Sequence, residues 1–142
     1  MTTIGKRALG VVLASLSATG YVILSAAPSR ANDPATHHVR YTVSAANPIY
    51  ADIYYLDQEP PVYSDYSHNP YQFTPNIQVD IAPGKPWTYD LMLANPDQYA
   101  MVSASTGTEP GTPQFHCDLT VDGVVVASKD GPTGVLCSLR HW

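Results

Sequence analysis

Residues 114–129 read QFHCDLTVDGVVVASK, two alternating runs joined by Asp122-Gly123. Asp-Gly between such runs is the strongest short-range signal for a type I′ hairpin, because both turn positions need positive φ. A two-residue turn sets Val121 opposite Val124 and Leu119 opposite Val126. Phe115, Cys117, Leu119 and Val121 then share a face with Val124 and Val126, while His116, Asp118 and Thr120 face away. Cys117 is thereby aimed at a core. Cys137 lies on the last run of the chain, GVLCSLRHW from Gly134, where it alternates with Leu136 and Leu139 and can reach it.

Outward from this hairpin the same period of two recurs. VRYTVS begins at Val39, YADIYYLD at Tyr50, FTPNIQVDIA at Phe73, WTYDLMLA at Trp87 and YAMVSAST at Tyr99. The runs are rich in Val, Ile, Tyr and Thr, separated by Pro, Gly, Asn and Asp, and they show no helical period. Seven to eight strands at spacings near ten residues read as an all-β sandwich or barrel. One segment interrupts the rhythm: residues 57–72, DQEPPVYSDYSHNPYQ, with no continuous strand or helix expected. Long loops in compact domains are often functional. Tyrosines offer a large rigid contact area at low entropic cost, which makes Tyr63, Tyr66 and Tyr71 a candidate interaction surface. The competing reading is a solvated loop whose tyrosines pack back on the sandwich.

The first residues carry Lys6 and Arg7, then no charge from 8 to 27, then Pro28 and Ser29-Arg30-Ala31. A basic start, an apolar stretch and a small-x-small site describe a signal peptide cut after Ala31. The uncharged stretch is also long enough for an uncleaved membrane anchor, though Ser15, Ser17, Thr19, Gly20 and Ser25 dilute it. Both readings export the remainder: a flexible segment at 32–38 and a β-sandwich domain at 39–142. The location is then secreted or periplasmic, in the cell envelope, or anchored in the inner membrane through residues 8–27. Cutting removes three of 7 basic residues and leaves 4 against 12 acids, a net charge of −8. Such a surface repels phosphate backbones, so nucleic acid is not a partner. In an exported chain the pair Cys117 and Cys137 reads as a structural disulfide, worth about 3 kcal/mol on the chain-entropy model.

Catalytic and metal signatures are missing from the sequence. His37, His38, His68, His116 and His141 show neither HExxH nor paired metal spacing, and there is no GxSxG. His37-His38 sit beside the new terminus, where disorder is usual. Carboxylate pairs of glycosidase type are set by spatial separation, but Asp80, Asp90 and Asp118 fall at outward positions. The residues point to no enzyme, no cofactor and no metal.

The run FHCDLTVDGVVVASKDGPTGVLC resembles the closing segment of the MmpS family, small membrane-associated proteins of mycobacteria. Cys117, Val121, Asp122, Gly123, Gly134 and Cys137 match that pattern of cysteine, Thr-Val-Asp-Gly hairpin, turn and second cysteine. Upstream, VRYTVS, ADIYYLD with Asp57, Pro86-Trp87 and YAMVSAS are collinear with it, so the resemblance covers residues 39–142. It implies an immunoglobulin-like antiparallel β-sandwich in the periplasm. It also implies an accessory role for an MmpL-type transporter in lipid or siderophore export, with that transporter or an envelope lipid or siderophore as partner. Two features depart from the family: the cleavable-looking signal and the longer 57–72 segment. They leave open a second function, a secreted soluble binding module that uses this loop.

Overall fold

A computed structural model describes Gly20 and residues 34–140. The chain separates into two units, Met1–Asn32 and Asp33–Trp142, and the account below concerns the second. The signal or anchor reading, its cut after Ala31 and His141 fall outside the described residues, Gly20 apart.

Each alternating run becomes a strand. In order these are β1 (His37–Ala45), β2 (Ile49–Tyr55), β3 (Asn76–Ile81), β4 (Trp87–Leu93), β5 (Met101–Ser105), β6 (Phe115–Val121), β7 (Val124–Gly131) and β8 (Gly134–Ser138). They form two four-stranded antiparallel sheets, sheet A in the order β4-β1-β6-β7 and sheet B in the order β3-β2-β5-β8. This is a β-sandwich of immunoglobulin-like architecture. Alternation turns Val39, Tyr41, Val43, Phe115, Cys117 and Leu119 of sheet A against Ala51, Ile53, Val102, Ala104, Val135 and Cys137 of sheet B, all buried.

The two edges of this core close by different means. On one side Cys117 of β6 and Cys137 of β8 form a disulfide between the sheets, with Cα atoms 6.1 Å apart. On the β4 side half-buried aromatics fill the seam. Trp87 stacks on Tyr89 with centroids 6.1 Å apart, and Tyr55 of sheet B packs tilted onto Tyr89 at 4.6 Å and Trp87 at 5.0 Å. Offset and tilted ring pairs of this kind add to simple area burial.

Three expectations are corrected. The Asp122-Gly123 turn has φ of 49° and 82°, as a type I′ turn requires, and Val121 faces Val124. Beyond it the register slips: Thr120 faces Val125, but Leu119 faces Ala127 rather than Val126. Val126 is the extra residue of a bulge, a common device on an edge strand. The slip takes Val126 off the expected face, and Val124, still opposite Val121, lies exposed at the hairpin tip.

Residues 37–38, expected within a flexible segment, open β1. His37 and His38 pair with Leu93 and Met92 of β4. The Asp122 carboxylate also accepts the His38 backbone N–H at 3.0 Å and lies 2.6 Å from His37 Nδ1. The hairpin tip thus clamps the start of β1.

Residues 57–72, expected without helix, contain α1 (Tyr63–His68) and run into α2 (Pro70–Phe73). Pro70 stands at the first position of α2, where its missing N–H costs nothing. Neither helix is long enough to show a period or to be stable alone. They persist because Tyr66 and Phe73 are buried. A third short helix, α3 (Pro96–Tyr99), joins β4 to β5.

Candidate functional site

The Tyr/Pro-rich insertion is fastened to the sandwich at several points. Tyr41 is fully buried between the sheets, and its hydroxyl donates to the Leu56 carbonyl at 2.8 Å while accepting the Met101 N–H at 3.4 Å. Burial pushes that phenol well above its ordinary range. Glu59 reaches the end of β4, accepting the N–H groups of Ala94 at 2.6 Å and Asn95 at 3.1 Å. The Asp57 N–H donates to the Phe73 carbonyl at 3.0 Å and closes the segment on itself. Tyr66 meets Tyr99 of α3 edge-on at 6.2 Å, and the Arg140 guanidinium lies 4.2 Å over the Tyr63 ring.

Held this way, α1 and α2 overhang the outer face of sheet B and leave a cleft of about 350 Å³. Its walls are Tyr66, Pro70, Tyr71 and Thr74 of the insertion and Tyr54, Met101 and Ser103 of the sheet. The volume is within the range of small-ligand sites. Tyr71 is 72% exposed, and its ring is tilted 50° to that of Tyr54 at a centroid distance of 6.2 Å.

Of the three tyrosines singled out from sequence, the structure brings two to this cleft. Tyr71 is free to meet a ligand, whereas Tyr66 is buried and serves as wall and anchor. Tyr63 lies between Arg140 and Tyr66 and does not line the cleft. Tyr54 was missed, although its outward position beside Asp52 and Tyr50 was readable from alternation. Met101 and Ser103 become wall residues only because β5 pairs with β2. A second, polar cleft of about 430 Å³ lies against the insertion, lined by Gln58, Asp65 and His68 among others. The His68 Nδ1 is engaged by the Ser64 carbonyl at 2.6 Å, closing the last turn of α1.

The outer face of sheet A has a different chemistry. Asp90 Oδ1 takes both Arg40 Nε and His38 Nε2 at 2.8 Å. The Arg40 hydrogen bond, with a smaller contribution from His38, holds the Asp90 carboxyl below its usual range. Two strands away His116 sits between two carboxylates, Nδ1 at 2.7 Å from Asp130 and Nε2 at 3.0 Å from Asp118. The Asp130 bond first, then that of Asp118, raises the imidazole above its ordinary 6.5. Ser128 lies 3.4 Å from Nε2, which brings Ser, His and Asp together on one face.

The proton geometry is not that of a nucleophilic triad. Ser128 Oγ donates to Asp118 at 2.7 Å, and Asp118 occupies the nitrogen that would have to act as base. Among the described residues no group of three or more His, Cys, Asp or Glu is arranged to hold a metal ion.

Comparison with known proteins gives one consistent result. Residues 41–137 match the Rv2576c beta-sandwich domain family, from the second inward residue of β1 to the second bridging cysteine. Uncharacterized protein Rv2576c of Mycobacterium tuberculosis is 41% identical over 110 residues, covering 78% of this chain and 71% of that protein. Uncharacterized protein Mb2606c of Mycobacterium bovis is similar to the same extent. The chain belongs to the Rv2576c beta-sandwich domain family.

Proposed function

We propose that this chain is an exported protein of the cell envelope that works by binding, and that the cleft between α1–α2 and sheet B is its ligand-facing surface. One observation carries the reading. The insertion is pinned by Glu59, Tyr66 and the Tyr41 hydroxyl, yet it leaves Tyr71 72% exposed beside Tyr54. A segment that only needed to be tolerated would gain by burying that ring. Export is supported by the signal-like start and by the disulfide, a bond that persists in oxidising compartments. Binding rather than catalysis is supported by Ser128, whose proton is committed to a carboxylate on an open sheet face. No described helix is long and apolar enough to cross a membrane.

The MmpS-like resemblance favours a second role for the same domain, as an accessory of an MmpL-type transporter in lipid or siderophore export. Its support is the collinear bridged hairpin, Cys117, Asp122, Gly123, Gly134 and Cys137. The roles separate by intact mass of the protein from culture filtrate and from membranes. A filtrate species beginning at Asn32 sinks the tethered accessory, and a membrane species with an intact N-terminus sinks the secreted module. The cleft itself is tested by nuclear magnetic resonance titration with envelope lipid and carbohydrate fractions. Shifts gathered on Tyr54, Tyr71 and Ser103 support it, and shifts confined to other surfaces refute it.

A further inference from the structure

We infer that the ligand of this face is a neutral polysaccharide, laid along β2 from Tyr50 to the cleft. The inference rests on the cleft being the binding surface and adds the class of ligand. Tyr50, Asp52 and Tyr54 point outward from one strand, and Tyr50 is 45% exposed. At strand rise, Tyr50 and Tyr54 lie about 13 Å apart. Tyr71 extends this row at the Tyr54 end, its ring 6.2 Å from that of Tyr54.

Sugar rings have one surface of C–H bonds and a rim of hydroxyls. Aromatic rings accept the first, and short polar side chains exchange hydrogen bonds with the second. Between the tyrosines the face supplies the second kind. Asp52 Oδ1 is fixed by the Asn76 amide at 2.5 Å. Ser103 stands opposite Tyr54 on β5.

Charge and desolvation disfavour the other ligand classes along β2. No Lys or Arg occupies an outward position on sheet B. Among the described cations, Arg40 and Lys129 belong to sheet A and Lys85 to the β3–β4 turn, while Arg140 lies 4.2 Å over Tyr63 and 5.8 Å from the Tyr66 ring at one wall of the cleft. Asp52 and Asp80 oppose a phosphate, sulfate or anionic headgroup. A bare acyl chain would strip water from the Asp52 carboxylate, whose one bond to Asn76 leaves its other lone pairs unmet, which is costly. An uncharged chain of hydroxylated rings meets both conditions.

Native affinity electrophoresis tests this with the full chain in gels containing dextran, mannan, galactan or arabinan, against dextran sulfate as the anionic counterpart. Retardation is expected in at least one neutral gel and not in dextran sulfate. Tyr71→Ala should weaken it by about tenfold, the scale of a central aromatic contact; Tyr71 is so exposed that its removal leaves the fold intact. Tyr54→Ala should act similarly, and Tyr54→Phe, which keeps the ring, should bind. No retardation in any neutral gel, retardation in dextran sulfate alone, or undiminished retardation of Tyr71→Ala overturns the inference. Phosphatidylcholine vesicles separate the two levels. Vesicle binding lost in Tyr71→Ala, without polysaccharide binding, removes the sugar and keeps the cleft. Failure of both probes removes both.

Discussion

The two outer faces of the sandwich are built by the same alternation and have come to opposite chemistries. Sheet A presents ion pairs, Arg40 and His38 on Asp90 and His116 between Asp118 and Asp130, and among the described residues no element is laid across them. Sheet B presents tyrosines, an amide, hydroxyls and the carboxylates of Asp52 and Asp80 with no basic residue among them, and an anchored insertion roofs one end of it. Paired charges on an open face satisfy one another and water. They keep the surface soluble and leave little to offer a partner. Exposed aromatic rings beside short polar groups keep apolar surface and unused lone pairs facing outward, and a cleft concentrates them. The fold is common to both faces; the cleft belongs to the one that received the insertion.

The largest test removes what the faces share. Replacing Cys117 and Cys137 together by Ala should cost about 3 kcal/mol, read as a lower urea midpoint. Because the bridge ties sheet A to sheet B, both faces should be lost in one transition. Two separate transitions would show that the faces do not depend on a common core.

Tyr41→Phe sits on β1 of sheet A but acts on sheet B, because only the hydroxyl is lost and the ring stays stacked on Tyr89. It removes the hydroxyl that joins Leu56 to Met101 and should cost about 2 kcal/mol, since a buried carbonyl loses its donor. Hydrogen exchange should quicken at Leu56, Met101 and the insertion, with β4 unchanged. Equal quickening across β4 would break the contrast between the faces.

Glu59→Ala is smaller, about 1 kcal/mol, because the freed N–H groups of Ala94 and Asn95 are partly open to water. Here the reading is a shift of the Tyr71 ring signals, with the His116 signals unmoved.

The pH response should come chiefly from sheet A and be the smallest effect. His116 has a raised folded pKa, so its contribution is complete below about pH 6.5 and fades as pH climbs through the folded value. Asp90 and Asp122 have depressed folded values, through Arg40 and His37 respectively. Their contribution is present above the ordinary 3.8 and is lost as pH falls through those depressed values. Titrating the His116 imidazole by nuclear magnetic resonance should give a midpoint above 6.5 that drops in Asp130→Asn. An unmoved midpoint would show that Asp130 does not hold the imidazolium.

Much of the fold was legible because alternation is a local property. Every expected run carries a strand, and Asp122-Gly123 turns as its φ requirement demands. The slip of one residue after Val125 was not legible, since Val126 is as apolar as its neighbours and nothing in the run marks it as the extra residue. The early start of β1 was hidden for a different reason: His37 and His38 are held by Asp122 and by β4, far away in sequence. The cleft was half legible. Tyr71 belongs to a segment whose composition stands out, while Met101 and Ser103 look like any strand residues until β5 is paired.

The sequence by itself determined the strands, the hairpin and the bridging of Cys117 to Cys137, because periodicity, turn stereochemistry and cysteine placement act over short stretches or by class of compartment. Tertiary structure alone decided which tyrosine faces solvent. Tyr63, Tyr66 and Tyr71 are chemically alike and only eight residues apart from first to last. Their separate fates follow from Arg140, Tyr99 and Tyr54, partners supplied by β8's end, α3 and β2. Burial is a property of the neighbours a side chain meets, and those neighbours exist only once the sheets have closed.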